Sequence, residues 1–259
     1  MKTLLDVVQA KNTAFGAWSV LPSPLATELL ARAGYDWMCV DMQHGLVGSV
    51  ESLAPLLQVI NAQDVPAFVR IPWKTSFAVA MHALDYGAQG VIVPMVDTAE
   101  EAAAIASALR YPPEGERSWA PVRASMLVEG YTSEAANRLV FCFVMIETRA
   151  GLTNIDAILS VPGVNGAYIG PSDLCVSHGG PPVPTSKNPL VCELAERVLE
   201  ACRRHGRIAA FHADGPEEAL YWADRGFQVV NVSVDAGLIA SGSAAHVARI
   251  RTGHQTGTL

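Results

Sequence analysis

A chain of 259 residues, half of them hydrophobic and only 17% charged, has enough apolar side chain for a sizeable core and excludes a disordered protein. Its net charge of -7, with 14 arginines scattered among acids, excludes the basic stripe that phosphate binding demands, so no nucleic-acid partner is expected. Asp6 and Gln9 interrupt the apolar N-terminal stretch, and no apolar run approaches the ~20 residues that span a bilayer, so no membrane is expected and the predicted location is cytoplasmic.

Short, near-continuous apolar runs recur along the chain, each of the kind that a parallel strand covered on both faces requires. AFGAW (14–18) comes first; Ser23-Pro24 then opens a helix with a cap and an N1 proline, and Gly34 marks its end. WMCVDM (37–42), AFVRI (67–71) and GVIVP (90–94) follow, and after them Thr98 and Glu101 have the spacing of a capping box for TAEEAAAIASALR. FCFVMIE (141–147), GAYIG (166–170) and IAAFH (208–212) lead to a helix opening at Asp214-Gly215-Pro216-Glu217, and VVNVSV (229–234) completes eight runs. Strand and helix repeated eight times without a linker predict one (β/α)8 barrel over residues 1–259. An open doubly wound sheet would carry a Gly-rich phosphate turn after its first strand, and Trp18-Ser19-Val20-Leu21 is not one. Two gaps are longer than the rest, RYPPEGERSWAPVRA (110–124) and SHGGPPVPTSKNP (177–189), and both are expected at the mouth of the barrel, where substrates are gripped.

In such a barrel the reactive groups sit at the C-terminal ends of strands. The second strand is expected to end in Asp41 and lead to His44, the third carries Arg70, the fifth ends in Glu147, and the sixth leads through Gly170, Pro171 and Ser172 to Asp173. Glu147 and Asp173, at the ends of adjacent strands, either share a proton or hold a cation of the magnesium or manganese kind. The alternative pairs Glu147 with Arg149 and leaves Asp173 as a helix cap. Arg70, in an otherwise apolar strand, either points into the mouth as a fixed cationic fork for an enolate or keto oxygen, or meets a buried carboxylate. Asp41, three residues before His44, is placed to orient that imidazole as a base.

Trp18 and Phe211 are expected to pack the mouth and set its size and Asp235 to cap a helix; His212, at the end of its run, could line the pocket but, like His178 and His82, is not counted among the site residues. No lysine lies within a strand, since Lys2, Lys11, Lys74 and Lys187 are the only four, and this disfavours imine chemistry. The five cysteines form no C-x-x-C pair, so neither a disulfide framework nor a thiolate zinc site is indicated.

The segments AGYDWMCVDMQHGLVG, PAFVRIPW, ALDYGAQGVIVPMVDTAEEA, RYPPEGERS, MIETRAGLTNIDAIL and VNGAYIGPSDLCVSHG, in this order over nearly the whole chain, resemble the HpcH/HpaI aldolase family. The resemblance implies a class II aldolase that reversibly cleaves 4-hydroxy-2-oxo acids into pyruvate, or a related 2-oxo acid, and an aldehyde. It further implies a divalent cation on Glu147 and Asp173, with Mg2+ or Mn2+ expected and Co2+ or Zn2+ as alternatives. Arg70 is implied at the keto oxygen, His44 with Asp41 as the base at the 4-hydroxyl, and the Gly170, Pro171, Ser172 turn at the pyruvate carboxylate. A homo-oligomer is also implied, a hexamer built as a trimer of dimers, with the last helix, SAAHVARIR, exchanged between partners. Met145 departs from a glutamine found in some members, Ser118 from a glycine, and Phe211-His212 from aliphatic residues. An oxaloacetate-type decarboxylase using the same metal and enolate site is the competing reaction, and a non-catalytic 2-oxo-acid sensor is a third reading.

Overall fold

The computed structural model describes residues 2–75, 77–182 and 188–256, with side chains described up to 252. Eight strands, β1 (Ala14–Ser19), β2 (Trp37–Asp41), β3 (Ala67–Arg70), β4 (Gly90–Val93), β5 (Phe141–Met145), β6 (Gly166–Ile169), β7 (Ile208–His212) and β8 (Val229–Val234), all pair in parallel. They run in chain order around a closed barrel, with β8 returning to β1. The expected (β/α)8 architecture is therefore observed. Five of the apolar runs extend beyond their strands, at Met42, Ile71, Pro94, Ile146-Glu147 and Gly170, and these overhangs belong to the turns that carry side chains to the mouth.

Strand alternation divides the core in two. Trp37, Cys39, Phe68, Ile92, Phe143, Met145, Tyr168 and Ala210 fill the barrel interior. Their neighbours Met38, Val40, Val69, Val91, Val144, Ala167, Ala209 and Phe211 face the surrounding helices. Burying each large side chain contributes about 1.5–3 kcal/mol, so both layers are needed to hold the ring closed. Gly16 shows how tight the interior is, because a Cβ there would lie 2.2 Å from the Trp37 ring.

The helix Leu4–Lys11, started by a Thr3–Asp6 capping box, was not expected from the sequence. It presses Leu4, Val7 and Val8 against the interior cluster. Expected caps are present at Ser23, which accepts from the Ala26 N–H ahead of the helix Pro24–Ala31, and at Thr98 with Glu101 ahead of the helix Ala99–Ala108. The helix Pro216–Arg225 also forms, but its start uses Gly215 without a side-chain cap. Asp235 accepts from the Ala236 N–H of its own helix and from the N–H groups of Val20 and Leu21, tying the end of β8 to the turn after β1.

One long gap lies at the end opposite to the one expected. Segment 110–124 follows the helix Ala99–Ala108, which has already carried the chain back to the start of the strands. There Arg110 donates to the Val140 carbonyl and to Asn165, just before β5 and β6, and Arg117 pairs with Asp85 at 2.6 Å. Its Ser118 is exposed on that side. The segment thus braces the barrel floor. In the other long gap, 177–189, residues 183–187 and with them Lys187 lie outside the described residues. Among the described residues, no helix is long and apolar enough to cross a membrane.

Candidate active site

The alternation that fills the interior also decides what reaches the mouth. Counting by twos brings Trp18, Asp41, Arg70 and His212 to the C-terminal ends of β1, β2, β3 and β7, and Glu147 two residues past the inward-facing Met145. Asp41 is 1% exposed, and its carboxylate accepts a two-pronged pair of bonds from Arg70, 2.9 Å from Nε and 2.6 Å from Nη2. Backbone N–H groups of Gln43 and His44 add bonds of 3.0 and 3.3 Å. Burial pushes the Asp41 carboxyl up, but the Arg70 bonds and charge and the two N–H donors outweigh it and hold the group below the usual carboxylate range. For Arg70 burial acts downward, yet Asp41 leaves the guanidinium still more firmly protonated than usual. Arg70 also stacks over Trp18, 4.5 Å from the ring centroid. The two sequence alternatives for Arg70 therefore coexist: Nε and Nη2 bind a buried carboxylate, while Nη1 has no partner among the described residues.

The expected Asp41–His44 contact is different in kind. Asp41 holds the backbone of the His44 turn, not the imidazole, because both its oxygens already serve Arg70. The exposed ring sets Nε2 at 3.2 Å from the side-chain nitrogen of Gln43.

Glu147 is 1% exposed and does not pair with Arg149. Its Oε1 accepts from the Met95 N–H at 2.8 Å. Met95 sits in the left-handed region at φ 54, a conformation uncommon for a side-chain-bearing residue; no sequence signal marks this position. Burial pushes the Glu147 carboxyl up to about 7; the Met95 bond and Arg70 oppose the rise, and the charges of Asp173 and Asp97 add to it. Gly170 makes room for this carboxylate. A Cβ at 170 would stand 2.3 Å from Glu147 Oε2 and 3.0 Å from Met145 Cε, so space, and not backbone conformation, requires glycine. The chain then enters the helix Pro171–Ser177 with no side-chain cap at Gly170. This leaves buried Pro171 and half-buried Ser172 beside the mouth and Asp173 exposed in the first turn.

A desolvated carboxylate with one oxygen unbonded, within the field of a second carboxylate, suits a hard divalent cation. Among the described residues no cluster of three or more His, Cys, Asp or Glu side chains is gathered. An ion here would accordingly have two protein ligands and room for substrate and water oxygens, as a catalytic cation needs.

One expected mouth residue is misplaced. Phe211 stacks on Trp222 at 4.3 Å and meets Phe227 at 5.5 Å in the outer layer, because on β7 the inward parity belongs to residues 208, 210 and 212. His212 occupies the mouth instead, with Nδ1 3.2 Å from the Tyr168 hydroxyl and its ring edge-on to Trp18 at 4.8 Å. Trp18 lies at the mouth as expected.

A family model described as HpcH/HpaI aldolase/citrate lyase matches residues 14–241. The chain is similar to a hydroxypyruvate/pyruvate aldolase of Roseovarius nubinhibens, 34% identical and covering 96% of this chain and 97% of that protein. It is also similar to a 2-keto-3-deoxy-L-rhamnonate aldolase of Salmonella typhi, 34% identical over 88% of this chain and 85% of that one. Among solved structures, an HpcH/HpaI aldolase from Desulfitobacterium hafniense DCB-2 superposes with a TM-score of 0.86 at 27% identity, covering 97% of each chain.

Proposed function

From the premise that this chain belongs to the HpcH/HpaI aldolase/citrate lyase family, and is a class II aldolase and carbon-carbon lyase, we propose that it reversibly cleaves 4-hydroxy-2-oxo acids into an aldehyde and pyruvate or a related 2-oxo acid. The observation that carries this reading is the buried Glu147 carboxylate, held by one backbone N–H and by no cationic side chain among the described residues, raised to about 7 and within the fields of Asp173 and of the Arg70 guanidinium that Asp41 fixes.

Glu147 and Asp173 hold the divalent cation, Mg2+ or Mn2+ by the hardness of their oxygens, with Co2+ or Zn2+ as substitutes. When bound, it supplies Lewis-acid polarisation of the 2-oxo acid. Arg70 directs Nη1 at the keto oxygen, where negative charge grows as the C3–C4 bond breaks, and Asp41 keeps its fork from turning away. The N–H groups of Gly170 and Ser172, in the turn that Pro171 shapes without a donor of its own, receive the substrate carboxylate. Trp18 and Tyr168 exclude water beside the reacting carbons.

His44 acts as the general base. It takes the proton of the 4-hydroxyl; the C4–O bond becomes the aldehyde carbonyl, the C3–C4 electrons pass into the 2-oxo group as an enolate, and a returned proton on C3 gives the 2-oxo acid. Asp41 holds the backbone from which this imidazole projects.

Further parts of this reading are a cytoplasmic homo-oligomer, a trimer of dimers, and one barrel domain over residues 1–259. Exposed Leu238, Ile239, Val247 and Ile250 on the helix Asp235–Thr256 support burial of that helix against another copy.

Release of pyruvate from a 4-hydroxy-2-oxo acid, followed by a coupled reductase, tests the proposal. Activity is expected to vanish on thorough chelation and return with Mg2+ or Mn2+. Turnover that persists in the fully chelated protein overturns it.

A further inference from the structure

The barrel mouth contains one polar side chain that the cleavage steps do not use. His212 ends β7 beside Trp18, the indole that also carries the Arg70 stack, with ring centroids 4.8 Å apart and Arg70 Cζ 4.5 Å from the indole. It is half-buried, unlike its neighbours Phe211 and Ala213, which are sealed.

Its tautomer follows from hydrogen-bond accounting. The Tyr168 hydroxyl is fully buried, and a buried phenol needs an acceptor for its proton. Trp18 Nε1, which also bears on this hydroxyl, is a donor only and has no acceptor in hydrogen-bond geometry. The acceptor the structure offers is His212 Nδ1 at 3.2 Å. With Nδ1 accepting, the neutral ring carries its proton on Nε2. That atom has no partner among the described residues, and it is not one of the sealed unpaired atoms, so it opens onto the mouth. Burial and the charge of Arg70 push the imidazole down to about 4, which keeps it a neutral donor throughout the working range.

An N–H fixed in an aromatic wall discriminates in a definite direction. A substrate that places oxygen against it completes the bond, whereas an aliphatic analogue strips it of water and leaves it unpaired. We propose that His212 is a specificity-determining residue of this aldolase, its Nε2–H donating to a hydroxyl carried on or next to a reacting carbon, so that hydroxylated substrates are preferred over aliphatic ones. Tyr168 is the positioning residue that fixes the donor. The inference rests on the aldol reaction proposed above and names the substrate class that reaction selects.

The hydroxyl can belong to the 2-oxo acid or to the aldehyde, and two arms separate the sources. With Mn2+ present, kcat/KM is compared for hydroxypyruvate against pyruvate with one common aldehyde, and for glycolaldehyde against propanal with pyruvate. In the wild type one ratio favours the hydroxylated partner. His212→Leu is expected to lower that ratio roughly tenfold or more by slowing the hydroxylated substrate, with the aliphatic one unchanged or faster. Tyr168→Phe lowers the same ratio, and His212→Gln, which retains a donor, restores part of it; these two variants also decide the matter if His212→Leu does not fold. Ratios unchanged in both arms for all three variants overturn the inference while leaving the aldolase reading intact. A wild type that joins neither 2-oxo acid to any aldehyde overturns both.

Discussion

Replacing Glu147 by Gln should make the metal-free protein more stable at high pH while abolishing its response to metal. In the folded chain this carboxyl titrates at about 7 against an ordinary 4.5, so folding retains its proton between those values. The stabilising contribution of that proton is complete below about pH 4.5 and is lost as pH rises through 7. Above 7 the fold must hold a desolvated charge, and a shift of this size corresponds to about 3 kcal/mol as an order of magnitude. Glutamine is never charged, and its amide oxygen can keep the Met95 bond. Urea unfolding in chelator is therefore expected to show Glu147→Gln more stable than wild type by up to about 3 kcal/mol at pH 8, the two converging near pH 4.5. Added Mn2+ reverses the order at pH 8, because only the wild type binds it. Equal stability at pH 8 in chelator, or equal stabilisation of both proteins by Mn2+, would refute this reasoning.

Removing the base should separate two reactions: His44→Ala is expected to lose aldol cleavage by about 10²-fold or more while retaining metal-dependent decarboxylation of oxaloacetate, read as carbon dioxide release. Arg70→Lys replaces the fork on Asp41 by a point charge, and kcat/KM for cleavage should fall about 10²-fold with circular dichroism unchanged. Phe211→Leu loosens the stack on Trp222 and Phe227 and should cost about 1–3 kcal/mol in urea unfolding, yet leave the ratio of hydroxylated to aliphatic substrates as in the wild type. A changed ratio there would return Phe211 to the mouth.

The barrel was legible because eight parallel strands, buried on both faces, must each be written as an unbroken apolar run, and GVIV or FCFVM can hardly serve elsewhere. Polar residues at or just past the ends of such strands stand out for the same reason, as Asp41, Arg70 and Glu147 do. Facing direction was harder. IAAFH contains a large aromatic and a histidine side by side, and only the two-residue alternation says that one of them is outside; the polar residue closing an apolar run was the available clue to His212. The floor segment 110–124 was also decidable, since a loop that follows a helix must lie at the starts of the strands. Asp41 engaging backbone N–H groups in place of the imidazole, and Met95 donating from a left-handed conformation, depend on atomic placement that spacing does not encode.

Calorimetric titration of Mn2+ into the chelator-stripped protein at pH 7.5, followed by pyruvate, bears most directly on the two-carboxylate site. One ion per chain is expected, with pyruvate binding at least tenfold tighter once it is present, and both effects absent in Glu147→Gln and Asp173→Asn. Pyruvate bound equally well without the ion, or Mn2+ bound normally by either variant, would contradict the account.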